Sequence, residues 1–206
     1  MTERDTPLED LWAGSFGDEY AERNAEADRG REPFWQATID RLRPADALEV
    51  GCNVGGNLRW LAELLGPEKV AGVDVNERAL DAARKRVPGA DLRMASALEL
   101  PFEDESFDLV FTTGVLIHQA PEDLPAVMGE IVRCSRRHVL CGEYFGEQET
   151  EVPYRGERGA LFRRDYGALY AAAHPDLRLV HREFLARGPG SSWDDVTVWV
   201  FEKPQG

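Results

Sequence analysis

Two periods of apolar residues alternate along this chain, and they predict strands separated by helices. Short apolar runs fall at 47–50, 70–75, 91–95, 107–112 and 139–141. Their length and branched side chains suit buried strands. Between them, apolar residues recur at helical spacing: Phe34, Trp35, Ile39 and Leu42; Leu58, Leu61 and Leu65; Leu80, Ala83 and Val87; Leu124, Val127, Met128 and Ile131. Each set gives a helix one buried face. Pro44 and Gly66-Pro67 end two of these helices, Asn76 caps the start of the next, and Pro88-Gly89 closes it. Pro121 is placed to open the last of the four, with Glu122 and Asp123 complementing its dipole, while Arg133, Arg136 and Arg137 suit its negative end. Two late strands, 177–184 and 193–201, are joined by Arg187-Gly-Pro-Gly-Ser-Ser192. In the second, Val196, Val198 and Val200 alternate as a half-buried strand requires. The alternation of strand and helix implies an α/β fold with a mostly parallel sheet.

The first stretch, 8–24, has a roughly helical pattern in Leu11, Trp12, Phe16 and Tyr20, weakened by Gly14 and Gly17. It reads either as a helix on the sheet edge or as a lid. In both cases Trp12 and Tyr20 face inward, and a lid could aim Tyr20, Arg23 and Asn24 at a ligand.

Composition narrows the function. The 206 residues suffice for one domain with a sizeable core. With 38 acids against 24 bases the formal net charge is -14, which repels phosphate backbones and disfavours a nucleic-acid partner. No apolar stretch has the length of a membrane span, and Met1-Thr-Glu-Arg-Asp-Thr6 lacks a signal-peptide core. Cys52, Cys134 and Cys141 have neither metal-ligand nor disulfide spacing. A cytoplasmic protein acting on a small molecule, with no metal, fits these facts.

The chemistry gathers around Ala47-Leu-Glu-Val-Gly-Cys-Asn-Val-Gly-Gly-Asn57. Gly51, Gly55 and Gly56 sit where a strand passes into a helix, so backbone can approach a ligand beside free N–H groups. Asp74 ends the next strand, roughly 20 residues on, where a carboxylate accepts hydrogen bonds from a ribose. A dinucleotide fingerprint would carry glycine at Asn53; asparagine tolerates the left-handed backbone that glycine would supply. Glu49 at the strand end suits a cationic or zwitterionic ligand better than a pyrophosphate. His118 follows the strand 107–112, at the sheet edge where α/β proteins bind ligands, and its unperturbed pKa of ~6.5 suits proton transfer. Glu143 ends the next strand and is the second candidate base.

With these segments in order, followed by Ala95-Ser-Ala-Leu-Glu-Leu-Pro-Phe102 and Phe107-Asp-Leu-Val-Phe111, the chain resembles the class I S-adenosylmethionine-dependent methyltransferases. The resemblance implies a Rossmann-like, mostly parallel seven-stranded sheet with helices on both faces and a C-terminal antiparallel hairpin. It implies S-adenosylmethionine as cofactor and S-adenosylhomocysteine as product. The implied cofactor residues are Glu49, Gly51, Asn53, Gly55, Asp74, Val75, Ser96, Ala97, Leu98 and Thr113. Ser96 stands where such enzymes often place an aspartate that accepts from the adenine amino group. Over the whole chain, with Phe16-Gly-Asp-Glu-Tyr-Ala-Glu-Arg-Asn24, Gly114-Val-Leu-Ile-His118, Gly142-Glu-Tyr-Phe145 and Tyr154-Arg-Gly156, it is similar to methylases associated with pseudaminic acid biosynthesis.

The implied organisation is one domain over 1–206, with an N-terminal lid at 1–30 and a substrate-side insertion at 145–165. Arg155, Arg158, Arg163 and Arg164 crowd the insertion, and arginine forks bind carboxylate or phosphate. An anionic small-molecule acceptor is therefore expected, contacted by Tyr20, Arg23, His118, Tyr144, Tyr154, Arg155 and Arg164. For a hydroxyl acceptor His118 serves as base; for a carboxylate it positions the acceptor. O-methylation by a monomer or homodimer is the favoured reading, and a non-catalytic S-adenosylmethionine-binding or scaffolding protein is the alternative.

Overall fold

A computed structural model describes residues 7–25, 29–190 and 192–204. Its centre is a seven-stranded sheet built from β1 (Ala47–Val50), β2 (Val70–Asp74), β3 (Asp91–Met94), β4 (Phe107–Thr113), β5 (Ser135–Glu143), β8 (Arg178–Leu185) and β9 (Val196–Glu202). The order is β3-β2-β1-β4-β5-β9-β8. The first five strands run parallel, and β9 pairs antiparallel with both β5 and β8. This is the mostly parallel sheet expected from the pattern, with the terminal antiparallel hairpin that the resemblance implies.

Side-chain alternation sends successive residues to opposite cores. Leu48, Val50, Val110, Val139, Cys141, Trp199 and Phe201 join one core, with Leu124, Val127, Met128 and Ile131 of α6 (Leu124–Cys134) and Tyr166 and Tyr170 of α7 (Tyr166–Ala173). Ala47, Leu109, Phe111, Leu140, Val198 and Val200 join the other, with Phe34, Trp35 and Leu42 of α3 (Glu32–Leu42), Leu58 and Leu61 of α4 (Gly56–Leu65), and Leu80 of α5 (Glu77–Arg86). The helices thus lie on both faces.

Three boundaries differ from the sequence expectation. The 8–24 stretch forms two helices, α1 (Pro7–Ala13) and α2 (Ser15–Arg23), because Gly14 breaks the helix in extended geometry. The helix expected from Pro121 begins at Leu124, after a turn in which Asp123 and Leu124 N–H groups donate to the Ala120 carbonyl. That helix then runs into β5 without a loop, so Arg136 and Arg137 are strand residues rather than helix-end residues. Arg136 pairs across the sheet with Asp108 of β4 at 2.6 Å. Within 145–165, β6 (Thr150–Glu151) and β7 (Phe162–Arg163) form a small antiparallel ribbon beside the main sheet.

Candidate active site

The strand order reverses between β1 and its neighbours β2 and β4, which opens a crevice at the carboxyl ends of these strands. A cavity of about 1150 Å3, mouth included, fills that crevice and continues under α1 and α2.

One end of the cavity is built by the β1–α4 junction. Gly51 and Asn53 have φ of 73° and 46°, the left-handed region that glycine and asparagine enter at least cost. A Cβ on Gly51 would lie 2.4 Å from Val115 Cγ2, so only glycine fits there. The Asp74 carboxylate ties this loop down: Asn53 N–H donates to Oδ2 at 2.7 Å and Asn76 N–H to Oδ1 at 2.9 Å. Each oxygen keeps a second lone pair for a ligand hydroxyl. Burial raises the Asp74 carboxyl pKa, and the backbone donors oppose the rise.

Glu49 lies beneath the loop, 2 % exposed. Asn57 Nδ2 donates to its Oε1 at 2.6 Å, whereas its Oε2 has no hydrogen-bond partner. Burial pushes this carboxyl up to about 8. A buried carboxyl oxygen without a hydrogen-bond partner is costly, and it marks a place where a ligand cation or donor would be stabilised by the ionised group.

Along the side wall, Ser96 Oγ accepts from Leu98 N–H at 3.0 Å and donates to Glu9 of α1 at 2.9 Å. Ala97, Leu98, Val75 and Thr113 also line the cavity. The roof comes from Leu8, Glu9, Trp12, Gly17, Tyr20 and Asn24. Asn76 latches it. Its Oδ1 caps α5 by accepting from Ala79 N–H, and its Nδ2 donates to the Trp12 carbonyl at 3.2 Å and to Asp18 at 2.9 Å. Gly17 makes this contact possible: a Cβ there would meet the Trp12 carbonyl oxygen at 1.8 Å. Gly17→Ala is therefore expected to displace the roof and cost ~1–3 kcal/mol. Urea unfolding and the rate of tryptic cleavage at Arg23 check this; an unchanged midpoint and cleavage rate would contradict it.

His118 lines the same cavity from the one-turn helix Leu116–His118 that follows β4. It is 7 % exposed and packs on Trp12 and Tyr154, with ring centroids 4.4 and 5.3 Å away. Its Nδ1 lies 2.5 Å from the Ala160 carbonyl oxygen. A carbonyl only accepts, so Nδ1 carries the proton and Nε2 carries the lone pair. Burial lowers the ring's pKa to about 4, which keeps it neutral at physiological pH.

The structure thus brings together Glu49, Gly51, Asn53, Asp74, Val75, Ser96, Ala97, Leu98, Thr113, Tyr20 and His118 around one cavity. Other predicted residues lie elsewhere. Gly55 faces Ala83 of α5, serving helix packing. Glu143 is fully buried behind the His118 turn, and Thr112 Oγ1 and the N–H groups of Val115, Leu116 and Ile117 donate to it. Those four donors favour the ionised form while burial pushes the carboxyl up to about 7. Tyr144 donates to Asp194 at 2.9 Å. Tyr154 backs the aromatic wall through Trp12, Phe16 and His118. Arg23 is exposed and pairs with Glu19 at 3.5 Å, and Arg155 is exposed with its guanidinium 5.9 Å from the Tyr154 ring centroid. Arg164 is buried, bonded to Glu149 and to the carbonyls of Leu116 and Gln119. The arginines of 155–164 therefore do not line the cavity.

Three important residues escaped the sequence reading. Trp12 was expected to face inward but not to line the site; its Nε1 is buried without a partner. Arg31 lines the cavity and donates to Asn57 and Ser192 while stacking 4.1 Å from the Trp193 ring centroid. Asn57 links Glu49, Thr113, Arg31 and Trp35. A signal for Asn57 was present: it is a polar residue four positions before Leu61, on the buried face of α4.

Residues 47–138, from β1 into β5, match the family model described as a methyltransferase domain. Over 102 residues the chain is 36% identical to a probable phthiotriol/phenolphthiotriol dimycocerosates methyltransferase 2 of Mycobacterium ulcerans, covering 48% of this chain and 39% of that protein. Over 95 residues it is 37% identical to the methyltransferase GfsG of Streptomyces halstedii, covering 43% of this chain and 33% of that one. The matches thus span well under half the length of these relatives. In three dimensions it superposes with TM-score 0.73 on a Burkholderia thailandensis 1,6-didemethyltoxoflavin-N1-methyltransferase solved with 1,6-didemethyltoxoflavin and S-adenosylhomocysteine. That likeness has 18% identity and covers 96% of this chain and 88% of the other. At such identity it establishes the fold, the Rossmann-like fold of the class I methyltransferases.

Proposed function

We propose that this protein is an S-adenosylmethionine-dependent methyltransferase acting on a small molecule. The observation that carries the reading is the unmatched Glu49 carboxyl oxygen in a cavity lined also by Asp74 and a neutral His118. The residues present fit the cofactor. Glu49 would hold the amino group of its methionine moiety, Asp74 the ribose hydroxyls, and Ser96, Ala97 and Leu98 the adenine. When bound, the cofactor supplies an electrophilic methyl group on a sulfonium.

The protein's part is alignment, exclusion of water and one proton transfer. The α1–α2 roof, with Trp12 and Tyr20, shields the reaction from solvent. An acceptor hydroxyl oxygen would bond the methyl carbon while the methyl–sulfur bond breaks, its electron pair leaving on the sulfur of S-adenosylhomocysteine, and the oxygen, then positively charged, would be strongly acidic. A weakly basic imidazole then suffices, and His118 Nε2 takes the proton.

The acceptor is best read as a hydroxylated molecule with an apolar or aromatic face. Trp12, Tyr20, Leu8 and Val115 line the cavity, and Arg31, the guanidinium among the described lining residues, already bonds Asn57 and Ser192. An anionic acceptor such as a sugar acid, expected from the arginine content of 155–164, is the weaker second reading, since those arginines do not line the cavity. Incubation with methyl-labelled S-adenosylmethionine and a panel spanning hydroxylated aromatics, apolar alcohols and sugar carboxylates tests this. Label in a hydroxylated aromatic or apolar product supports the first reading, label in a sugar carboxylate the second. Tight cofactor binding without transfer to any acceptor would favour a non-catalytic role.

A pH signature follows from Glu49. The free protein holds this carboxyl protonated at neutral pH, its pKa being about 8, and a bound ammonium group would ionise it. Binding at pH 7 is expected to release close to one proton, seen as different calorimetric enthalpies in buffers of different ionisation enthalpy. Equal enthalpies in all buffers would contradict the assignment of Glu49.

A further inference from the structure

We propose that Glu143 and Arg164 are positioning residues that clamp the Leu116–His118 turn from its two ends and, with the Ala160 carbonyl, hold His118 in the tautomer that leaves Nε2 unprotonated. The inference rests on the reading of His118 as the group that meets the acceptor.

The turn is short, and buried groups of complementary charge bond its backbone from both ends. At its amino end, Glu143 Oε1 accepts from Val115 and Leu116 N–H, each at 3.2 Å, and Oε2 accepts from Ile117 N–H at 3.2 Å. At its carboxyl end, Arg164 Nη1 donates to the Leu116 carbonyl at 3.3 Å and to the Gln119 carbonyl at 3.0 Å. An anion at the start and a cation at the end match the direction of the turn's dipole. Both side chains are buried, 0 % and 1 % exposed, so these bonds meet little competition from water. Arg164 is itself held by Glu149 at 2.7 Å and by the Phe162 ring, 4.2 Å from its guanidinium carbon.

The 145–165 segment supplies three parts of this device. Arg164 anchors it to the turn, Ala160 brings its buried carbonyl to His118 Nδ1, and Tyr154 packs on the ring. The segment that looked substrate-binding in the sequence is, on this geometry, what orients the base. Losing the clamp frees the turn to rotate away from Ala160, and the ring then takes either tautomer.

Long-range proton–nitrogen NMR on the uniformly 15N-labelled full chain reads the tautomer directly. His118 among the four histidines is identified by its loss in His118→Asn. The intact protein is expected to show a single form, protonated at Nδ1. Glu143→Gln and Arg164→Met are expected to give a mixture of both tautomers, while Arg164→Lys, which keeps a donor, retains most of the single form. A ring protonated at Nε2 in the intact protein would overturn the proposal. So would unchanged His118 signals in Glu143→Gln and Arg164→Met with the fold retained. Should Arg164→Met fail to fold, Glu143→Gln decides alone. Titration of the same samples with S-adenosylmethionine reads the cofactor site separately, so failure of the methyltransferase reading leaves a distinct trace: no binding, with the His118 tautomer as stated.

Discussion

Asp74→Ala is expected to weaken S-adenosylmethionine binding by ~100-fold or more, because hydrogen bonds to a charged group contribute ~1.5–3 kcal/mol each and two ribose hydroxyls are available. Part of the loss would be local. The same carboxylate holds the N–H groups of Asn53 and Asn76, so the variant also loosens the glycine loop and the cap of α5. Asp74→Asn separates these effects, since the amide keeps one acceptor oxygen; an intermediate affinity is expected. Calorimetric titration of the three proteins is the measurement. An Asp74→Ala affinity within about twofold of the intact protein would remove Asp74 from the cofactor site.

His118→Asn is expected to lower turnover of a hydroxyl acceptor by ~10²–10⁴-fold, the range of a general base, without changing S-adenosylmethionine affinity. The pH dependence gives a sharper test. The folded ring has a pKa of about 4 because burial disfavours its charged form. The acid limb of the rate profile should therefore lie near that value rather than near an ordinary histidine's ~6.5. Stability carries the same signature. Between those two values the unfolded chain binds a proton that the folded ring refuses, so stability is lost as pH falls through 6.5 towards 4. The asparagine variant should lack that part of the slope. Turnover that survives the substitution would mean that the acceptor needs no base, as a carboxylate would not.

How much of this was legible in the sequence follows from the range of each interaction. The β1–α4 junction is local: an apolar run, glycines, then a helical period. Its loop residue Asn53 adopts the left-handed backbone that its residue type allows, and Asp74 reaches back to it from the neighbouring strand end. Placing His118 needed only the rule that ligands lie beyond the strand ends. Glu143 and Arg164 were harder. Each sits near a strand end, and sequence alone does not say whether a charged side chain there points into the crevice or turns to the backbone of an adjacent loop. Here both turn to the loop, because the turn 116–118 leaves orphan N–H groups that Glu143 satisfies, and the carbonyls of Leu116 and Gln119 accept from Arg164. Arg136 and Arg137 misled for another reason: α6 passes straight into β5 at Ser135, and no glycine or proline marks the change. The helical spacing places Asn57 on the buried face of α4, but its contacts with Arg31 and Trp35 of one stretch and Thr113 of another are recorded by no local pattern.

The central claim is that the crevice between β1 and β4 binds S-adenosylmethionine. Isothermal titration of the intact chain with S-adenosylmethionine and S-adenosylhomocysteine tests it most directly. The account predicts one site per chain, with dissociation constants in the ~1 μM–1 mM range usual for enzyme ligands, and a rise in melting temperature on saturation. No heat of binding and no thermal shift with either ligand would contradict it.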